Sequence, residues 1–373
     1  GDTIVGIVSV FGLILITKYF EKKAKKKVME TGTKDIEARE KEKTFTYSTS
    51  PKSFRSLPRL DFSYFFDYTS NYIVGQERAL KMVQKSLIAS AKRLSMGDKK
   101  KAKVLSVMLF VGPTGVGKTE TAKVLAEYLK VYDYGFLRID ANQYSTREAV
   151  WSLLGSMKGY IGSDQPGILP RKIAENPRIV ILIDEIEKAS RSFYEPLLQL
   201  LDEGYVIERS TGEEFHTQAA VIIMTSNIES RKIGSLAESI SDPVELDIKV
   251  REVLERAIRH FDGGYEAFQI TPEFLGRIDA IVPFSSLKFD HLVLIAQREL
   301  QRMGVKPDQE RLRLLAYKYK ELADKYGIRY FIKKLTEEFF GGVERSVKKL
   351  SETYFTTIRP VTCVLGLLIL KVS

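Results

Sequence analysis

The sequence predicts an α/β fold, a parallel sheet covered by helices, and three observations carry that expectation. Three short runs are almost wholly apolar instead of alternating: residues 104–111 (VLSVMLFV), 180–183 (VILI) and 220–224 (AVIIM). Strands buried on both faces of a parallel sheet read this way. Between the first run and an amphipathic helix, Gly112 to Thr119 spells GPTGVGKT, the GxxxxGK[ST] pattern of a phosphate-binding loop. The other two runs end in polar side chains, Asp184-Glu185 and Thr225-Ser226-Asn227, at the strand ends where such sheets hold ligands.

Each element follows from its chemistry. Glycines in the loop let backbone N–H groups close around phosphates at the start of the next helix, whose dipole favours an anion. Pro113, Thr114, Gly115, Val116 and Gly117 then form the cradle, Lys118 reaches the β- and γ-phosphates, and the Thr119 hydroxyl ligates Mg²⁺. Ala122, Leu125, Ala126 and Leu129 share one helix face, the stripe that packs it onto a core. A further strand is expected over 136–140. Asp184 is expected to hold Mg²⁺ through water and Glu185 to polarise an attacking water, although an acidic pair can also cap a helix. Asn227 is placed to bind both a γ-phosphate and that water, although Ser-Asn is also a common turn.

Composition excludes several classes. With one cysteine, Cys363, the chain has no internal disulfide, and a cysteine-ligated metal site is disfavoured. His216, His260 and His291 stand far apart and form no HExxH run, which disfavours a metalloprotease. The net charge of +10 permits a nucleic-acid partner, but the basic residues are spread out apart from Lys99-Lys100-Lys101 and Lys103, a run expected to be a solvated loop. At the amino terminus, residues 3–17 (TIVGIVSVFGLILIT) are uncharged and followed by a basic cluster, Lys22 to Lys27. With Tyr19 and Phe20 the run nears the minimum length of a bilayer span. A transmembrane helix over 1–20 is therefore expected, with the rest of the chain on the cytoplasmic or organelle-matrix side. Residues 21–69 read as a charged, then Pro/Ser-rich linker whose aromatic knot, Phe62 to Tyr68, docks on a neighbouring surface.

Taken in order, several segments resemble the AAA+ ATPases and, among these, the Clp unfoldases and ClpB-type disaggregases: IVGQERAL (73–80), GPTGVGKTETAKVLAE (112–127), GYIG (159–162), VILIDEIEKA (180–189), LLQLLDEG (197–204), IIMTSN (222–227), ITPEFLGRIDAIVPF (270–284) and YGIR (326–329). The similarity is greatest to the second ATPase domain of double-ring members. It implies a large AAA+ domain over 70–285 and a smaller C-terminal α-helical/β lid over 286–373, in which the apolar stretch 361–372 is a core strand or hairpin. It implies ATP hydrolysis with Mg²⁺, a homo-hexameric ring and a protein substrate. By the same resemblance Ile73 and Val74 line the adenine pocket and Asn227 is the sensor asparagine. Arg277 is the arginine finger presented to a neighbouring subunit, and Arg329 is the second sensor arginine.

Within MKGYIGSD (157–164), two glycines bracket Tyr160 and Ile161. In the resembling family this is the central-pore loop, where an aromatic side chain grips passing polypeptide through nonspecific apolar contact. An apolar loop tip favours a protein substrate over nucleic acid, whose motors need a basic surface. Two departures stand out. About 50 residues separate Asn227 from Arg277, a long interval that reads as an insertion over 228–270. Ile233-Gly234-Ser235 lacks the apolar third residue of peptidase-docking loops, so no peptidase partner is expected. The reading is a membrane-anchored protein unfoldase; its rivals are a nucleic-acid motor of the same class and an ATP-switched assembly factor that threads nothing.

Overall fold

The computed structural model describes residues 59–96, 103–156, 166–260 and 269–340. All of these residues belong to the compact unit Pro58–Ser373; the other unit, Gly1–Leu57, contains none of the described residues. The chain enters through α1 (Phe65–Ser70) and α2 (Glu77–Ser95), then alternates strand and helix: β1 (Ser106–Val111), α3 (Lys118–Leu129), β2 (Gly135–Asp140), α4 (Arg147–Leu154), α5 (Ile168–Glu175) and β3 (Ile179–Asp184). Next come α6 (Tyr194–Glu203), the hairpin β4 (Tyr205–Ile207) and β5 (Glu214–His216), and β6 (Val221–Ser226). Helices α7 (Ser230–Ser239), α8 (Pro243–His260) and α9 (Pro272–Leu275) precede β7 (Ala280–Pro283). The described chain closes with α10 (Phe289–Arg302), α11 (Gln309–Tyr326) and a helix over 328–340, α12.

Five strands form one parallel sheet in the order β2-β3-β6-β1-β7. The apolar runs predicted as strands are its three central members, each buried at every position. Side chains alternate between faces with the period of a strand. Val107, Leu109, Val111, Ile181, Ile183, Ile222 and Met224 enter one core with α4 to α9. Met108, Phe110, Val180, Leu182, Val221 and Ile223 enter the other with α2 and α3. Burial of each such side chain contributes roughly 1.5–3 kcal/mol, so register is strongly specified: a one-residue slip would exchange both cores.

The strand order also places the chemistry. Because β6 lies between β1 and β3, the turns that follow these three strands emerge side by side at one sheet edge. Val111 pairs with Ser226 and Ile183 with Met224. Strands lie about 4.8 Å apart, which brings the loop after Val111, the acidic pair and Asn227 within reach of one ligand.

One expectation changes on the folded chain. The aromatic run counted with the linker is part of the domain: Phe62 and Phe65 are buried and pack on Tyr128 of α3, with ring centroids 6.1 and 5.4 Å away. The segment after Asn227, read as an insertion over 228–270, is packed against the domain through its described helices. Its helices α7 and α8 bury Ile233, Leu246, Val250 and Leu254 in the core beneath the sheet. Ile233-Gly234-Ser235 lies within α7, and a Cβ built on Gly234 would lie 2.9 Å from Cγ of Pro113 in the phosphate loop.

The membrane placement expected from residues 1–20 is corrected. Among the described residues no helix is long and apolar enough to cross a bilayer. The longest, α2, has 19 residues but carries Lys81, Lys85, Lys92 and Arg93 on its exposed side, where a span of about 20 residues must be apolar. The run 3–17 itself, like the GYIG segment and the apolar stretch 361–372, lies outside the described residues.

After residue 288 the helices pack on one another around their own core, with Leu292, Ala296 and Leu300 of α10 against Leu312, Ala316 and Phe331. Asp308 caps α11 by accepting the Arg311 N–H at 2.9 Å, and Gly327 at φ +84 ends it.

Candidate functional site

The phosphate loop leaves β1 in a conformation that depends on glycine. Gly112 has φ +132, and a Cβ there would lie 2.5 Å from the Phe284 carbonyl oxygen. Gly115 has φ +75, and its Cβ would lie 2.8 Å from Gly327 Cα and 2.9 Å from the Ile328 nitrogen. The turn between α11 and α12 is thus seated directly on the loop. Helix α3 begins at Lys118, so the loop's amides converge at a helix N-terminus.

Lys118 is 6% exposed. Its ammonium donates back to the carbonyls of Gly112 at 2.8 Å and Pro113 at 2.5 Å. Burial lowers its pKa from 10.5 to about 8, against the attraction of Glu187, Asp184 and Glu185. A desolvated cation without a paired anion is an anion-binding group in waiting. The sign of its pH dependence follows. Between about pH 8 and 10.5 the folded chain holds fewer protons at Lys118 than the unfolded chain, so the ligand-free protein gains stability as pH rises through that window. Phosphates restore the proton, so ATP binding at about pH 9 is expected to take up protons. Calorimetry in buffers of different ionisation enthalpy checks this: uptake in the native chain, and its loss in Lys118→Met.

Asp184, 65 residues beyond Thr119, lies beside it. Its Oδ1 accepts the hydroxyls of Thr119 at 2.9 Å and Thr225 at 2.6 Å, and its Oδ2 accepts Arg138 at 2.6 Å. Burial pushes its pKa up, but the hydrogen bonds from Thr225, Thr119 and Arg138, with the Arg138 charge, outweigh burial and hold it below the usual carboxylate value. Glu185 follows at φ +56, a left-handed conformation that a non-glycine residue holds only where its surroundings impose it. Here its N–H donates to Thr225 Oγ1 at 2.9 Å. That twist aims its carboxylate at Asn227, whose Nδ2 donates to Oε1 at 2.8 Å, while Lys188 donates to Oε2 at 2.5 Å. Glu187 accepts the Asn227 N–H at 3.0 Å, and its other oxygen is buried without a partner.

On the far side of the loop, Ile73 and Val74 are buried. Ile73 packs with Leu80 and with Val124 of α3, and its Cγ2 lies 3.5 Å from a Cβ built on Gly117. Arg277 makes none of its contacts with the phosphate loop or the acidic pair. It pairs with Asp202 at 2.6 Å and Glu273 at 3.1 Å on the wall of a cleft of about 780 Å³ that Arg147, Trp151, Arg191 and Arg209 also line. Arg329 is exposed at the start of α12, next to the Ile328 that meets Gly115.

The fold therefore brings Lys118, Thr119, Asp184, Glu185 and Asn227 into one network, with Ile73 and Val74 flanking it. Arg329 is adjacent through the α11–α12 turn, and Arg277 lies on a separate face. Tyr160 and Ile161 lie outside the described residues. The sequence alone did not point to Arg138, Lys188 and Gln76, and it gave Thr225 no partner. Gln76 donates to the carbonyls of Val116 at 3.2 Å and Ser285 at 2.8 Å, tying the loop to the exit of β7. The lone arginine inside GFLRID was the one available signal for Arg138.

The arrangement fits a magnesium nucleotide: a glycine-shaped cradle, a buried lysine that among the described residues donates only to the Gly112 and Pro113 carbonyls, and an ionised carboxylate against a threonine hydroxyl. Among the described residues no three His, Cys, Asp or Glu side chains converge as a metal cage. A cation at Thr119 and Asp184 would take its remaining ligands from phosphate and water, as Mg²⁺ commonly does.

A parallel sheet in which one strand feeds such a loop, the strand beside it ends at an asparagine and the next one ends in an acidic pair is the arrangement of the AAA+ ATPases. A family model described as AAA domain (Cdc48 subfamily) matches residues 103–281. The chain is 35% identical over 242 residues to chaperone protein ClpB 1 of Synechocystis, covering 65% of this chain and 25% of that one. It is 35% identical over 246 residues to chaperone protein ClpB of Staphylococcus aureus, covering 66% and 26%. It also resembles a closed-state cryo-EM structure of Hsp104 with ATPγS and FITC-casein, with a TM-score of 0.61 and 29% identity over 77% of this chain and 48% of that one. The ATPase is of the ClpB/Hsp104 type, and the chain spans about a quarter of the length of the curated relatives it matches.

Proposed function

We propose that this chain is the ATP-hydrolysing part of a ring-shaped motor that remodels proteins by drawing polypeptide through a central pore. The observation that carries this reading is the division of the site. One chain supplies the phosphate loop, the acidic pair and Asn227 as a single hydrogen-bonded network, whereas its Arg277 points into a cleft on a different face. An arginine finger that cannot serve its own site is used by a neighbour, and the family resemblance makes that neighbour a second copy in a homo-hexamer.

In this reading Lys118 exchanges the Gly112 and Pro113 carbonyls for phosphate oxygens, and Thr119 with Asp184 holds Mg²⁺. The bound magnesium nucleotide supplies a γ-phosphoryl group activated for transfer to water. Glu185 accepts a proton from that water, held in direction by Asn227, and Lys188 balances the carboxylate charge between turnovers. Ile73 and Val74 cover the adenine. Helices α10 to α12 act as a lid, whose Gly327–Ile328 contact with Gly115 brings Arg329 toward the phosphates. Arg277 of the adjacent copy neutralises charge as the bond to the γ-phosphoryl breaks.

The substrate class rests on Tyr160 and Ile161. Tyr160→Ala is expected to reduce threading of a tagged, folded protein by at least about tenfold while ATP turnover continues, because one aromatic anchor carries much of the energy of such a contact. Unfolding of a fluorescent substrate measures it. Normal threading by Tyr160→Ala would remove the gripping role, and stimulation of turnover by DNA and not by unfolded protein would replace the protein substrate with nucleic acid.

A further inference from the structure

Arg138 sits on β2, the strand at one edge of the sheet, opposite Leu182 of β3. Paired residues share a face of a pleated sheet, and so do residues two apart along a strand. Arg138, Leu182 and Asp184 therefore lie on one side, and the guanidinium reaches diagonally to Asp184 Oδ2 at 2.6 Å. The Asp184 side chain is 9% exposed and that of Arg138 41%. On the other oxygen, Oδ1 accepts the Thr119 and Thr225 hydroxyls at 2.9 and 2.6 Å. The hydroxyls fix the carboxylate but bring no charge. Among the described residues, Arg138 is the one cation in ion-pair contact with Asp184.

The two kinds of partner differ in how readily they leave. Thr119 stands in the first turn of α3 and Thr225 near the end of β6, so packed elements hold both hydroxyls in place. Arg138 is a long side chain with much of its surface in water, and exposed ion pairs exchange for solvent at small cost. A nearly buried carboxylate stripped of its cation is strongly unfavourable unless another cation takes over. Asp184 is also the carboxylate that, with Thr119, is proposed to hold Mg²⁺. Two cations drawn to one carboxylate repel each other, more strongly in a partly buried site than in water. Arg138 thus neutralises Asp184 when no metal is bound and opposes the metal when one is.

We infer that Arg138 is a positioning residue that holds Asp184 as a stand-in for the magnesium charge and turns away from it when magnesium nucleotide binds. The inference rests on the reading that Thr119 and Asp184 hold Mg²⁺. It is tested in the full chain by equilibrium binding of a fluorescent, non-hydrolysable ATP analogue, first in EDTA and then in excess Mg²⁺. The ratio of the two Kd values is the gain in affinity that the metal brings. In Arg138→Gln this ratio is expected to rise roughly tenfold, within the usual span of such couplings. The metal-free Kd weakens as a positive charge is lost, and Mg²⁺ meets an unopposed carboxylate. Arg138→Lys keeps the charge and is expected to stay within about threefold of the native ratio. A merely structural role would change both Kd values in proportion, and an unchanged ratio in Arg138→Gln overturns the inference. A lowered ratio also overturns it, because Arg138 would then assist the metal. A lysine variant with a ratio as high as that of the glutamine variant would overturn the role of the charge. If Arg138→Gln does not fold, Arg138→Met keeps the apolar stem and is judged by the same ratio. Asp184→Asn separates the inference from the reading beneath it. A native ratio there overturns the metal site and the inference together, whereas a lowered ratio beside an unchanged one in Arg138→Gln overturns the inference alone.

Discussion

Glu185→Gln is expected to bind ATP with near-native affinity and hydrolyse it about 10²- to 10⁴-fold more slowly, the contribution of a positioned general base. The amide fills the same space, and its oxygen can still accept Asn227 Nδ2. Its NH₂ then faces the Lys188 ammonium, donor against donor. Lys188 is half exposed and can turn to solvent, so the fold is little disturbed. The measurement pairs equilibrium ATP binding with a phosphate-release assay. Native turnover would show that Glu185 is not the base and that its twisted backbone serves another purpose.

Arg277→Ala is expected to lose about 10³- to 10⁵-fold in turnover in the assembled protein, the range for an arginine finger. Its effect on stability should be small. Asp202 and Glu273 are partly exposed, and pairs of that kind contribute about 0–1 kcal/mol each. The decisive form of the experiment is a mixture. A subunit with Arg277→Ala keeps a native Glu185 site, and a Glu185→Gln subunit keeps a native Arg277. If the arginine acts across an interface, mixing two inactive variants restores turnover at junctions where an intact site meets an intact arginine. No recovery would return Arg277 to the role of a partner for Asp202 and Glu273.

The groups proposed as catalytic were legible because each is announced by its immediate neighbours. Lys118 and Thr119 close a glycine-spaced loop, and Asp184-Glu185 and Asn227 end apolar runs that can only be buried strands. Arg138 was not legible in this way. Its partner, Asp184, is 46 residues distant in the chain and becomes a neighbour because β2 pairs with β3. Gln76 bridges to Ser285 over 209 residues, a contact no local pattern encodes. Ile233-Gly234-Ser235 lies in helix α7 with Ile233 buried beneath the sheet, a placement the triplet alone does not announce. The apolar amino-terminal run lies outside the described residues, and hydropathy alone does not distinguish a bilayer span from other apolar segments.

Hydrophobic period, glycine spacing and the polar residues at strand ends sufficed to establish the α/β architecture and the nucleotide chemistry, since these are properties of segments a few residues long. Folding set the order β2-β3-β6-β1-β7, and with it which strand ends meet, which face Arg277 occupies, and the ion pair between Arg138 and Asp184. Those outcomes arise from packing between distant segments, where burial on both sheet faces selects one register and one neighbour for every strand.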